Sequence, residues 1–314
     1  MGWLAKLFGG GQAPAPPAAP VVPAPALRPV GSPATPVASG GAAEEGSAGV
    51  LLGWLLDAPS AAGQALTLEE QKASAALDEV LALQTLPDTL LPRASAVLPQ
   101  LMGLLRQSDA STAEIADRIG KDVALAAEVL RAAASVARGA GAVDDLQQAV
   151  QRIGIAGVQQ AVSRVVFRPV YSSSAGTLGA RAAPRLWQHA EALAERTAAQ
   201  ARDAGLPAFD GYIAGLLHGS GWTVALRVID RAGIALALPL SEPAGVALDR
   251  RAHRLFGLAA KAWQITPGFQ VLAEDARQVP LARSTLPLAA CLRRAQAAFL
   301  LEQLGGAADQ RTER

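Results

Sequence analysis

Beyond residue 67 the apolar positions of this chain recur at three- and four-residue spacings, and strict alternation never persists over a convincing length. That period predicts helices and leaves no strand from which to build a sheet. Thr67-Leu-Glu-Glu70 and Ser111-Thr-Ala-Glu114 each place a carboxylate three residues after a hydroxyl, where each can satisfy the other's backbone N–H. They predict one helix from Leu68 to about Leu83 and a short one that Gly120 ends. Leu98, Leu101, Leu104 and Leu105 mark a helix face between the two caps. Helices are then expected over Asp122–Ala137, with Val123, Leu125, Val129 and Leu130 inward, over Asp144–Ile153 up to Gly154, and over Val158–Phe167.

A polar stretch, Tyr171–Gly179, reads as a hinge before a second lobe. Leu186–Ala204 is predicted as a long helix closed by Gly205 and Pro207. Phe209–Leu226, FDGYIAGLLHGSGWTVAL, reads as an apolar helix ending at His218, a Gly-Ser-Gly break, and a second helix from Trp222. Ala247–Trp263, Gly268–Gln278 and Thr285–Leu304 complete the set. These short, unequal helices share no repeat length, so the class is all-α, an irregular bundle of two lobes rather than a solenoid.

Residues 1–64 break the pattern. Nine of the 21 prolines lie between Pro14 and Pro36, in an Ala/Pro/Gly-rich run too poor in contacts to offset its ordering entropy. A disordered tether is expected there. Two readings of its tip, Trp3, Leu4, Leu7 and Phe8, stay open: an unstructured start, or a weak membrane-surface or partner-docking peptide. Val50–Leu56 is an apolar island with two readings, docking on the folded part, which is favoured, or a short linear motif for a partner. The domain plan is therefore a tether over 1–64, a helical domain over 65–300 with lobes at 65–170 and 184–300, and a polar tail over 301–314.

Hydrophobic residues make up 51% of the chain, but much of this is alanine, and no uncharged apolar run is long enough to span a membrane. Lys and Arg number 28 against 27 Asp and Glu, with no basic stripe and only 4% aromatics, which argues against nucleic-acid binding. The single cysteine, Cys291, excludes an intramolecular disulfide and a multi-cysteine zinc site. Met1–Phe8 lacks a secretory signal pattern, so a cytoplasmic location is expected.

Trp187-Gln-His189, then Ala214-Gly-Leu-Leu-His218, then His253 with Gly257 and Trp263 form an ordered series. Leu98-Pro99, Ile119–Arg131 and Ala149–Gly154 precede it. Together they resemble the HDOD domain, a non-catalytic relative of the HD phosphohydrolases. Val123 stands where the family's pattern has proline, and Ala134-Ser135 where it has Asn-Ser. The catalytic relatives, the resemblance implies, hold metal with a histidine, an adjacent His-Asp pair, further histidines and a distal aspartate, and the metal activates a water.

His189, His218 and His253 match the histidine positions, but Gly219 stands where the paired aspartate would be. No carboxylate occurs over Ala290–Arg293, where the distal one is expected, and no paired histidines occur over Glu274–Gln278. Three neutral imidazoles without a bridging anion suit hard divalent cations poorly. His189, His218, Gly219 and His253 are therefore read as vestigial metal-site positions, with no catalytic residue, metal or cofactor expected. Glu195 and Asp210 lie at the wrong spacing to replace the aspartate. Trp187, Trp222 and Trp263 read as cleft and core anchors.

The resemblance implies a bacterial signal-transduction or regulatory scaffold that binds a protein partner and does no chemistry. The alternative is a metal-dependent phosphohydrolase or phosphodiesterase acting on a nucleotide or cyclic dinucleotide.

Overall fold

Thr67 and Ser111 do start helices, and in each case the hydroxyl accepts the N–H three residues on while the glutamate accepts the N–H of the cap residue. The computed structural model describes residues 49–58, 61–91, 111–136, 145–172 and 176–312, with side chains to residue 304. The expected tether, its Trp3–Phe8 tip and the Leu98–Leu105 face lie outside the described residues. In chain order the helices are α1 (Val50–Leu55), α2 (Leu68–Leu81), α3 (Thr112–Gly120), α4 (Val123–Val136), α5 (Leu146–Ser172) and α6 (Thr177–Asp203). They continue with α7 (Ala208–His218), α8 (Ser220–Arg231), α9 (Glu242–Ala260), α10 (Pro267–Gln278) and α11 (Pro287–Thr312). Short 3-10 turns sit at Lys261–Trp263 and Leu281–Arg283. Among the described residues the fold is all-α, with one isolated bridge between Ala61 and Ser241.

Several expected boundaries move, each for a local reason. Gly154 adopts φ 64° and turns the chain between the two halves of α5 without separating them by a loop. Tyr171 is no hinge residue: it closes α5 and is fully buried, while Thr177 and Gly179 already belong to α6. Pro184 lies inside α6, where proline ordinarily breaks a helix, and the first turn is capped from afar. Asp230 of α8 accepts from Leu178 N at 3.1 Å and Gly179 N at 2.8 Å. Helix α11 runs on through the expected tail to Thr312. On α4 the buried stripe is Leu125, Val129 and Ala133, spaced four apart. Val123 is 85% exposed and Leu130 also faces out, so these two are not core residues.

Helices α7 and α8 are buried along most of their length and form the centre of the domain. Gly215 lets α7 lie on α6 at the Leu193 carbonyl, and Gly221 lets α8 lie on α9 at the Ala252 carbonyl. Arg227, 3% exposed, ties α8 to the Leu90 and Val170 carbonyls at 2.7 and 3.1 Å. The apolar island docks as expected: Leu51, Leu52, Leu55 and Leu56 are buried, and Trp54 meets Phe299 edge-on at 5.0 Å. Arg185 clasps it through the Trp54 carbonyl and Asp57.

Glu70 serves two helices at once. Beyond capping α2, it accepts from Ser241 N at 2.7 Å and from Ser241 Oγ at 2.9 Å, at the start of α9. Burial pushes its carboxyl up, but the bonds from Thr67 and Ser241 outweigh this and hold it below 4.5. Glu70→Ala is expected to cost about 2 kcal/mol in denaturant unfolding, because it strands donors at two helix starts. An unchanged midpoint would show that the two starts stand without it.

Candidate functional site

The Gly-Ser-Gly stretch is not a loop. Gly219 is itself near-helical, at φ −64° and ψ −12°, so α7 passes into α8 through a single residue. His218 therefore ends α7 deep inside the bundle, facing α9. Its Nε2 lies 3.3 Å from His253 Nδ1, close enough for one ring to donate to the other. Each ring is 6% exposed, and each keeps one nitrogen, His218 Nδ1 and His253 Nε2, with no partner of ordinary geometry. Burial lowers His253 to about 4, partly opposed by Asp275 and the Val279 carbonyl. His218 is likewise lowered well below its ordinary value, by burial and by the two neighbouring imidazoles.

His189 on α6 is wholly buried, and neither ring nitrogen has a partner. Phe299 lies edge-on to its ring at 5.1 Å. On another side it meets the empty flank of Gly219, where a Cβ would stand 3.7 Å from His189 Nδ1 and 3.4 Å from the Tyr171 ring. Burial alone pushes His189 down to about 3. Tyr171 occupies the ground beside Gly219. Its hydroxyl donates to the Leu216 carbonyl, and burial drives its pKa far above the ordinary range. The side chain that an aspartate at 219 would extend toward is thus a tyrosine held by a backbone carbonyl.

A cavity of about 400 Å³ opens on the other side of the histidine pair, with His218, His253 and Trp222 in its wall. Asp249, one turn before His253 on α9, also lines it. Burial raises Asp249 to about 6, against the pull of Arg250 and a hydrogen bond from the Trp222 indole. The sequence motifs pass over Asp249; its signal is the four-residue step to His253, which puts both on one face of a helix. Asp275 near His253 was missed for want of any such step.

The three tryptophans occupy different places. Trp222 is buried at the cavity wall, and Trp263 is buried with its ring 5.3 Å from Phe167. Trp187 is half-buried against Tyr171, with the Arg168 guanidinium 5.6 Å over its ring. Glu191 pairs with Arg164 at 3.1 Å, and the Asp210 carboxylate lies against Gly268, so neither reaches the histidines. Among the described residues no three His, Cys, Asp or Glu side chains are placed to share a metal ion. Asp249 and Asp275 lie near the His218–His253 pair, but they do not converge with it on one point.

A sequence profile of the HDOD domain matches residues 91–262. The chain belongs to the HDOD family. Among solved structures, its fold is similar to the "Putative metal-dependent phosphohydrolase" of Shewanella amazonensis SB2B, with a TM-score of 0.55 and 20% identity. That match covers 76% of this chain and 85% of the other. An HDOD domain protein with unknown function from Geobacter sulfurreducens is similar at a TM-score of 0.51 and 19% identity, over 74% of this chain and 80% of that one. No sequence relative is found among curated proteins. At these identities the structures speak for the fold of the HDOD protein, which is all-α as its periodicity predicted. No described helix is long and apolar enough to cross a membrane.

Proposed function

We propose that this HDOD protein is a non-enzymatic regulatory scaffold of a bacterial signalling system, acting in the cytoplasm by binding a protein partner. The observation that carries the reading is the sealed flank of Gly219. Its missing side chain faces Tyr171 and a His189 ring with no free approach, where a metal-holding carboxylate would have to stand. A proline-rich tether supports the partner-binding half of the reading, because a linked domain searches at high effective concentration.

One observation favours a second reading, a metal-dependent phosphohydrolase. The 3.3 Å between His218 Nε2 and His253 Nδ1 is about the spacing of two nitrogens on one tetrahedral metal. The name of the Shewanella protein points the same way. Metal content of the purified chain, followed by turnover of nucleotides and cyclic dinucleotides with added manganese or iron, separates the two. The expected result is no stoichiometric metal and no hydrolysis that His218→Ala abolishes. Bound metal with His218-dependent turnover would replace the scaffold reading with the enzymatic one.

A further inference from the structure

The cavity beside the histidine pair has the wrong charge for a cation and unmet hydrogen bonds for a neutral core. Arg250, Arg283, Arg293 and Arg294 line it, against a single carboxylate, Asp249. Ala290 and Arg293 stand in its wall on α11, the stretch where catalytic relatives were expected to bring a carboxylate. Arg293 braces the turn over the cavity, donating to the Leu281 and Ser284 carbonyls at 2.8 and 2.7 Å. The charge of the site is thereby reversed, and an anion, not a metal, is what the arginines attract.

The floor specifies more. His218 and His253 share one proton between Nε2 and Nδ1, so whichever tautomers they adopt, one outer nitrogen donates and the other accepts. The Val279 carbonyl accepts from His253 at less than ordinary geometry, so the atom of the pair left without a protein partner is His218 Nδ1, although both rings are more than nine-tenths buried. Gln296 Oε1, in the same wall, is a second buried atom without one. Two unmet acceptors, His218 Nδ1 and Gln296 Oε1, call for hydroxyl groups, which can donate to both. Val246 and Leu300 give the remaining surface an apolar character that accommodates a carbon skeleton.

We infer that this cavity binds a small hydroxylated organic anion, directly and without metal, with its charge at the arginine rim and its hydroxyls on the His218–His253 pair and Gln296. The site stands independently of whether the chain has a catalytic activity. A bound ligand here would rest on α7, α9 and α11 together, joining small-molecule sensing to the core of the domain.

Calorimetric titration of the full chain in chelator tests this, with ribose 5-phosphate as the probe and inorganic phosphate beside it. Ribose 5-phosphate is expected to bind saturably at one site and to shift the imidazole resonances of His218 and His253. Arg294→Gln is expected to weaken it about tenfold, the value of one charge-assisted hydrogen bond. Gln296→Leu should weaken ribose 5-phosphate and leave inorganic phosphate unchanged. Both side chains reach the surface, and unfolding midpoints near wild type will establish that the variants fold. No saturable binding at about 1 mM probe, in the millimolar range where weak ligands still register, would overturn the inference. Equal affinity for both probes, insensitive to Gln296→Leu, would overturn it too. Hydrolysis of the probe on adding manganese would instead overturn the non-enzymatic reading and leave the binding site standing.

Discussion

Acidification from pH 8 to pH 5 is expected to strip about 4 kcal/mol from the stability of the domain through His189 and His253 alone. Both are buried neutral, with pKa values lowered to about 3 and about 4. In the unfolded chain they protonate near 6.5, so below that pH the unfolded state binds protons the folded state refuses. Stability contributed by these groups is complete above 6.5 and is lost as pH falls toward the folded values. At pH 5 each costs about 2 kcal/mol, and His218, lowered in the same sense, adds to the slope. Against the roughly 5–15 kcal/mol typical of a whole domain, this is a large fraction. Glu70 enters only later, since a carboxyl held below 4.5 loses its contribution as pH falls beneath that value.

Urea midpoints taken across the range check the slope, and His189→Leu checks its source. That variant removes two buried nitrogens without partners, so at pH 8 it is expected to cost little or to stabilise. At pH 5 it should be about 2 kcal/mol more stable relative to wild type than at pH 8. An unchanged pH slope in His189→Leu would mean that the ring is protonated in the folded protein, and would undo the reading of a sealed, neutral site.

Helix type was legible because periodicity and side-chain caps are local: Thr67 with Glu70 and Ser111 with Glu114 act within one turn of chain. The start of α6 was not, because its cap comes from Asp230, fifty residues on. The same divide runs through the site. His189, His218 and His253 could be picked out by motif, and Gly219 by what it replaces. That Tyr171 fills the space beside Gly219 is a tertiary fact carried by the docking of α5, and Tyr171 looked like part of a polar hinge. The cavity arginines were invisible for a similar reason. Arg250, Arg283 and Arg293 lie in three separate segments that only the packing of α9 and α11 around the Leu281 turn assembles.

Two glycines two positions apart at the site, Gly219 and Gly221, are expected to respond in opposite directions. A Cβ at Gly221 would stand 1.9 Å from the Ala252 carbonyl oxygen and 2.8 Å from Phe256 N. Backbone cannot rotate aside as a side chain can, so α8 and α9 must separate. Gly221→Ala is therefore expected to cost at least about 3 kcal/mol, at the upper end of overpacking penalties. At Gly219 the nearest atoms to a Cβ lie at 3.4 Å or more and the backbone is already near-helical. Gly219→Ala should gain up to about 1 kcal/mol by restricting the unfolded chain. Equal losses in the two variants would mean that the α7–α8 junction, not the α8–α9 contact, limits stability. Gly219→Asp is the informative extension. Its carboxylate must push into the Tyr171 ring, so the substitution should destabilise alone and be relieved by Tyr171→Ala, which reopens the flank. Relief of that kind would establish that the space for an acidic neighbour of His218 was closed by a side chain rather than by the course of the backbone.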